Sequence, residues 1–526
     1  MFTHLQGIIM KMINRINLFI IGLLWMCGPA VAAEITIYHT NDLHANVLPF
    51  KAPYVSEDKK IGGFANIATI VKQAKASNDG VFFFDAGDFF TGPYISTLTK
   101  GEAIVDIMNK MSFDAVSIGN HEFDHGVPNM KEQLNKATFP VLLGNLFYEG
   151  SDKPVWDKPY VLLEKAGVKV GVIGLHGKFA FYDTVNKNMR NGVEMRDEVA
   201  YLKKYIQEIR DKVDITVLLV HEGVPARQSS IGSGDVSRLL KKDIELAKQV
   251  QGLDILITGH AHVGTPEPIK VNETLIVSTD AYGINLGKLV VNIDDKSRKI
   301  TGYNGRLINI FDGDVTPDPQ TAEAVAHWTD KLAQITQQKI GNASAGLTRA
   351  YGASSPVGNL VGDAFLAAEP RAQLAFVNSG GLRSELPRGE ITLGDIITMF
   401  PFPDDLSYTE INGKQLRALM NHAANLTNGV LQASKGIEMT YDSRKPLDQR
   451  LISLTVQGQP VKDDAWYPVV VNSFLATGGD GFSAFAAGRN TRVLPGSGAT
   501  GAVVAYIKAQ AEITPSEEMR IKDVAP

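Results

Sequence analysis

Five short apolar runs in this chain end on side chains that bind hard cations, and this recurrence restricts the fold more than anything else in the sequence. The stretch "ITIYHTNDLH" supplies Asp42 and His44, "VFFFDAGD" Asp88, "AVSIGNH" Asn120 and His121, "ITVLLVHEG" His221, and "ILITGHAH" His260 and His262. A short apolar run bounded by turn residues reads as a buried strand. Amphipathic stretches at 64–76, 101–111, 128–136 and 197–211 read as helices between the strands. Strands alternating with helices build sheet layers flanked by helices. In an open α/β sheet, ligands gather at the carboxyl ends of the strands. Five strands that each end on one or two hard donors therefore make a cluster along that edge.

The crowding needs compensation. In "SIGNHEFDHG", residues 117–126, the side chains of Asn120, His121, Glu122, Asp124 and His125 fall where a buried strand ends. Polar groups taken out of water cost free energy unless they are partnered. The donors are imidazole nitrogens and carboxylate or amide oxygens, without sulfur. That set suits Zn²⁺, Mn²⁺, Fe or Co and disfavours Cu(I). Asp42, His44, Asp88, Asn120, His221, His260 and His262 make seven donors, too many for one catalytic metal and about right for two. Asp88, with two oxygens, can bridge. The expected cofactor is a pair of divalent ions (Zn, Mn, Co, Fe or Mg), whose charge offsets the crowding. His39, His125 and His176 are expected in the core, behind the ligands or at the surface.

The chain of 526 residues is too long for one ordinary domain. The strands "ETLIVSTD" and "KLVVNIDD" read as polar-out and antiparallel, and the first domain ends near Ile310. The turn-rich "FDGDVTPDPQ" breaks the pattern, Thr321 to Lys339 reads as one joining helix, and a second α/β domain begins near Gly341. The charged tail from Thr514 is expected to be mobile. At the other end, Lys11 and Arg15 precede an apolar run from Leu18 to Cys27 and then "AVAA", the pattern of a secretory signal peptide. The run is shorter than the ~20 residues that span a bilayer. Cys27, the one cysteine, lies inside that leader, so a mature chain has neither disulfide nor thiolate chemistry. The expected address is periplasmic or secreted. A net charge of −5 offers no field to hold a nucleic-acid polymer.

At these residues the chain resembles the calcineurin-like metallophosphoesterases, through D-x-H, G-D, G-N-H-E-F-D, H and G-H-x-H in that order. With its second half it is similar to the bacterial secreted 5′-nucleotidase family. The resemblance implies an α/β protein with a signal peptide over 1–33 and a four-layer α/β/β/α metallophosphoesterase domain over 34–312. A linker helix over 313–340 and a smaller α/β substrate-binding domain over 341–526 complete it. It also implies that Asp42, His44 and His262 hold one metal, that Asn120, His221 and His260 hold the other, and that Asp88 bridges them. His121 and Asp124 match the catalytic pair. In the second domain "NSGGLR" implies Asn378 and Arg383 at the substrate, "MFPFPDD" and "NSFLATGGDGF" imply Phe402 and Phe474 as a base-stacking clamp, and Asp480 is placed near the ribose hydroxyls. A base suits such a clamp because every base has a π-face. Two departures stand out: no arginine immediately precedes the Gly358-Asn359 helix, Arg349 being displaced, and Asp404 stands where relatives carry Asn. Both disfavour a highly charged substrate tail. The implied activity is dimetal hydrolysis of nucleotide phosphate esters. A 2′,3′-cyclic phosphodiesterase with 3′-nucleotidase activity, a UDP-sugar hydrolase, a thiosulfohydrolase and a catalytically silent nucleotide binder are the alternatives. The expected partner is a small nucleotide; the sequence does not fix an oligomeric state.

Overall fold

The structure is a computed structural model that describes residues 33–224, 236–426 and 428–525. The expected leader, up to residue 32, lies outside the described residues.

Two six-stranded sheets form the centre of the first domain. One runs Ile300–Asn309, Asn285–Ile293, Ala33–Thr40, Val81–Asp85, Ala115–Ser117, Val141–Leu142. The other runs Ile269–Val271, Thr274–Val277, Ile255–His260, Ile215–Glu222, Val168–His176, Tyr160–Lys165. Successive side chains of a strand point to opposite faces, and the sequence uses both. Ile35, Ile37, Phe82 and Phe84 pack inward against Val172, Val217, Leu219 and Ile257 of the other sheet. Tyr38 and Phe83 point outward to the helices Phe64–Ser77, Glu102–Met108 and Gly126–Leu134. On the far side Ile173, Leu218 and Leu256 meet the helices Glu198–Ile209 and Lys241–Gln249. The result is the expected α/β/β/α stack.

Parallel pairing aims the strands at a common edge. Ala33–Thr40, Val81–Asp85 and Ala115–Ser117 are parallel neighbours in one sheet, and Val168–His176, Ile215–Glu222 and Ile255–His260 in the other. The two edges adjoin: the His260 N–H donates to Asp42 Oδ2 at 2.9 Å across the sheets.

The joining helix is Pro319–Thr336, started by the Asp318 side chain accepting from the Thr321 N–H, with Pro at its first position. It stops before Lys339 because Lys339–Ala343 pairs instead with Gly389–Thr392. Ala324, Val325, Trp328 and Leu332 belong to the first domain's core.

The second domain is built on a five-stranded sheet ordered Leu431–Ala433, Leu374–Asn378, Trp466–Asn472, Asp405–Asn412, Arg489–Gly498. Leu374, Phe376, Val469 and Val471 face one apolar cluster, and Ala375, Val377 and Val470 face the other.

Two expectations fail. Thr274–Val277 is fully buried rather than polar-out, and it pairs parallel with Ile255–His260 as well as antiparallel with Ile269–Val271. The tail is not free. Arg520 is buried and donates to both oxygens of Asp363 at 2.8 and 2.9 Å, and Ile521–Asp523 pairs in parallel with Ile437–Tyr441. The charged tail expected to be mobile is held because its arginine has a carboxylate partner and its Ile521 is core.

Candidate active site

The seven candidate donors meet at the shared edge. Asp42 and His44 follow Ala33–Thr40, Asp88 follows Val81–Asp85, and Asn120 follows Ala115–Ser117. His221 and His260 are the last or penultimate residues of their strands, and His262 follows. All but His262 are buried. The nitrogen and carboxylate atoms of the six donors other than Asn120, together with those of His121, form overlapping triplets, Asp42–His44–His262, His44–Asp88–His121 and Asp88–His221–His260, each within 4.8 Å.

Backbone geometry at this edge is unusual. Asp42, His44, Asp88, His260 and His262 have φ of 51°, 43°, 61°, 72° and 54°. The left-handed region costs a non-glycine residue on the order of 1–3 kcal/mol and persists where the surroundings over-determine it. Here it lets adjacent residues turn their side chains to one point.

The imidazoles are oriented through their outer nitrogens. His44 Nδ1 lies 2.9 Å from the Thr91 carbonyl and His221 Nδ1 2.8 Å from the Ala86 carbonyl. A carbonyl there fixes a proton on Nδ1 and turns Nε2 to the centre; at His44 that Nε2 is a lone pair, whereas at His221, against burial, the Asp88 and Asp42 carboxylates raise the imidazole to about 10. The inner atoms converge: His44 Nε2 is 2.9 Å from His262 Nε2, and Asp42 Oδ1 is 3.3 Å from His262 Nε2. The buried Nε2 atoms of His221 and His260 have no hydrogen-bond partner, although His221 Nε2 is 3.0 Å from Asp88 Oδ2. Burial pushes His44 and His260 well below the usual imidazole range, so both are neutral, the ligating form. Burial opposes charge on Asp88, but His221 and His121 hold its carboxyl well below the usual range. Buried, converging, sulfur-free acceptors with orphaned nitrogens fit hard divalent cations.

His121 and Asp124 stand beside this centre. His121 Nδ1 is 2.7 Å from Asp124 Oδ2, and the His121 N–H donates to Asp88 Oδ1 at 2.8 Å. From the second domain Arg383 brings Nη2 within 2.8 Å of His121 Nε2. Arg349, displaced in sequence, donates to the Leu382 carbonyl at 3.0 Å and so backs the Arg383 loop.

A cleft runs from the centre into the second domain, lined by Asn378, Phe402 and Phe474 as well as Asp404 and Asp480. The Phe402 ring lies 5.7 Å from His121 and 5.5 Å from the Arg383 guanidinium. A Cβ at Gly479 would sit 2.4 Å from the Phe474 ring, so only glycine lets that ring lie on its loop. Asn378 Nδ2 donates to Asp480 Oδ2 at 3.2 Å. Asp404 is heavily engaged, accepting from Asn472 Nδ2 at 2.8 Å, from the Phe474 N–H at 3.2 Å, from Ser473 Oγ, and from Asn186 Nδ2 of the first domain at 3.3 Å.

Of the side histidines, His39 and His176 are buried and pushed down to about 3 by burial, while His125 is half-buried. The sequence reading did not single out Tyr282. Its φ is 69°, and its ring lies 5.6 Å from His44 and 5.5 Å from His262. Neither that strain nor the Thr91 and Ala86 carbonyls leaves a mark in residue type. Asn186, which closes the cleft from the first domain, also went unmarked.

Residues 35–264 match the calcineurin-like phosphoesterase family and residues 331–487 the 5′-nucleotidase C-terminal domain family. A snake venom 5′-nucleotidase of Gloydius brevicauda is 28% identical over an alignment covering 96% of this chain and 92% of the relative. The crystal structure of a 5′-nucleotidase precursor from Thermus thermophilus superposes with a TM-score of 0.82 at 26% identity, covering 94% of this chain and 100% of that one. The sulfate thiohydrolase SoxB of the same genus shares the fold, with a TM-score of 0.76 at 18% identity over 94% of this chain and 97% of that one.

Proposed function

Since the chain belongs to the family that joins a calcineurin-like phosphoesterase domain to a 5′-nucleotidase C-terminal domain, it is a metal-dependent phosphoric ester hydrolase with two divalent ions, and we propose that it converts nucleoside 5′-monophosphates to nucleoside and phosphate. The observation that carries this reading is the continuity of one cleft from the donor cluster to Phe402 and Phe474, with His121 and Arg383 between them.

Asp42, His44 and His262 are assigned to one ion, Asn120, His221 and His260 to the other, and Asp88 to both. When bound, the ions supply Lewis-acid stabilisation of phosphoryl oxygens and acidify the attacking water. The protein's own residues do the rest. The phosphoryl group enters between His121 and Arg383, whose side chains now touch each other. Arg383 neutralises its equatorial charge with the geometry of a guanidinium fork. Water oxygen bonds to phosphorus as the bond to the ribose oxygen breaks, roughly in line. His121 delivers a proton to that leaving oxygen, with Asp124 fixing the ring; the attacking water keeps one proton on the phosphate formed and releases the other, which restores His121. Phe402 and Phe474 hold the base, and Asn378 and Asp480 face the ribose. Asp404 ties the Phe474 backbone to the Phe402 segment.

Phosphate release from the metal-loaded protein tests the reading across AMP, UMP, ATP, UDP-glucose and 2′,3′-cAMP. AMP or UMP is expected to turn over fastest, with activity lost in EDTA and restored by Mn²⁺. Faster turnover of 2′,3′-cAMP or UDP-glucose would overturn it. Phe474→Ala is expected to weaken AMP binding by ~1–3 kcal/mol, about 5–150-fold in KM. Hydrolysis of p-nitrophenyl phosphate, which has no base, should stay close to that of the parent. An AMP KM equal to that of the parent would remove Phe474 from the clamp.

The leader-like sequence and the placement of Cys27 within it support export, to the periplasm or beyond. Among the described residues no helix is long and apolar enough to cross a membrane.

A further inference from the structure

Glu122 has no part in the chemistry above, yet it is fully buried where two donor-bearing loops meet. Its Oε2 accepts from the Asp88 N–H at 3.0 Å and from the Gly119 N–H at 2.6 Å, and its Oε1 accepts from the Phe90 N–H at 2.9 Å. Asp88 and Phe90 lie on the loop after Val81–Asp85. Gly119, which immediately precedes Asn120, lies on the loop after Ala115–Ser117. One carboxylate therefore spans the loops of two neighbouring strands, and every bond it makes goes to main chain.

The two loops touch backbone to backbone at this point. A Cβ at Gly87 would lie 2.4 Å from the Gly119 nitrogen, and a Cβ at Gly119 would lie 2.1 Å from Asp88 Oδ1. Only paired glycines allow that approach. Such proximity leaves main-chain N–H groups of both loops in a buried spot, where an unmet donor is costly. Three of those N–H groups end on Glu122. One belongs to Asp88, whose φ of 61° is the left-handed conformation that turns its carboxylate to the centre. The two oxygens of Glu122 together accept all three bonds, two on Oε2 and one on Oε1. Glu122 therefore holds Asp88 in an unfavourable backbone state and fixes its distance from Asn120.

We propose that Glu122 is a positioning residue for the metal pair, setting the separation of the Asp88 and Asn120 loops through their main chain without touching a cation itself. The inference rests on the assignment of Asp88 and Asn120 as ligands made above. It deepens that assignment by naming what keeps ligands from two different strands in register. Loss of groups that orient metal ligands typically costs ~10–100-fold in metal affinity or activity.

Glu122→Gln tests it. The amide keeps one acceptor and turns an NH₂ toward N–H donors. Co²⁺ titration of the metal-stripped protein, read from the cobalt absorption bands, reports affinity and coordination independently of turnover. The variant is expected to bind Co²⁺ ~10–100-fold more weakly, with altered bands, and to regain activity as Mn²⁺ is raised. A variant with parental cobalt affinity and bands overturns the proposal. Asp88→Asn, titrated in parallel, separates the two ideas: if it too binds as the parent does, the ligand assignment is wrong, whereas if only Glu122→Gln does, the positioning role is wrong. Should the glutamine variant not fold, amide exchange on the metal-free parent decides. The Asp88, Phe90 and Gly119 amides are expected to be strongly protected, and exchange at free-peptide rates would sink the idea.

Discussion

Asp88→Asn is expected to leave the protein folded and its centre unable to hold both ions. Asparagine is among the few residues that accept a left-handed backbone, so φ of 61° is preserved. What is lost is the second carboxylate oxygen and the negative charge. In the parent, Oδ2 lies 3.0 Å from His221 Nε2 and 3.9 Å from both His44 and His121 Nε2, while Oδ1 accepts from the His121 N–H. Asp42 Oδ1 also lies 3.8 Å from both His44 and His221 Nε2, but Asp88 comes closer to His221 and alone of the two carboxylates accepts from the His121 N–H. The metal content, measured by inductively coupled plasma mass spectrometry after gel filtration, should fall from two ions per chain to one or none. Phosphate release should drop by more than the ~10–100-fold that follows loss of an outer-shell partner. Two ions retained per chain with near-parental turnover would show that Asp88 is not the bridge.

His121→Ala is expected to show the opposite division. The ring carries the proposed proton transfer, a contribution of typically ~10²–10⁴-fold. It contacts Asp124 through Nδ1 and Arg383 through Nε2, and its Nε2 is 3.9 Å from Asp88. Turnover should therefore fall by that factor while two ions per chain remain, since no assigned ligand is removed. The loss should be smaller for an ester with an acidic leaving group such as p-nitrophenyl phosphate, which needs less protonation. Undiminished kcat on AMP would end the acid assignment.

Much of this site was legible because its chemistry is written in residue type. Hard donors at the ends of five apolar runs could converge only if those runs were strands of a shared edge, and they are: Asp42 and His260 come from different sheets and meet. The α/β/β/α layering was legible for a related reason, since "VFFFD" has no polar face to leave in water. Other features were not legible. Carbonyls of Thr91 and Ala86 orient His44 and His221, and every residue has a carbonyl. Tyr282 depends on a dihedral angle. Glu122 stood in plain sight in "GNHEFD", but its partners are main-chain groups 32 and 34 positions away and its own neighbour Gly119. The tail misled because isolated charge reads as solvated, whereas Arg520 finds Asp363 from 157 residues away.

The contact between His121 and Arg383 joins the two halves of the molecule where we propose that the phosphoryl group enters. The half that breaks the ester and the half that grips the rest of the nucleotide can therefore drift separately under selection. Such a chain can change its diet by redrawing one wall of the cleft while the hydrolytic machinery opposite is inherited untouched. Grafting the second half of a distant relative onto this first half, with the guanidinium kept in place, should transfer that relative's appetite.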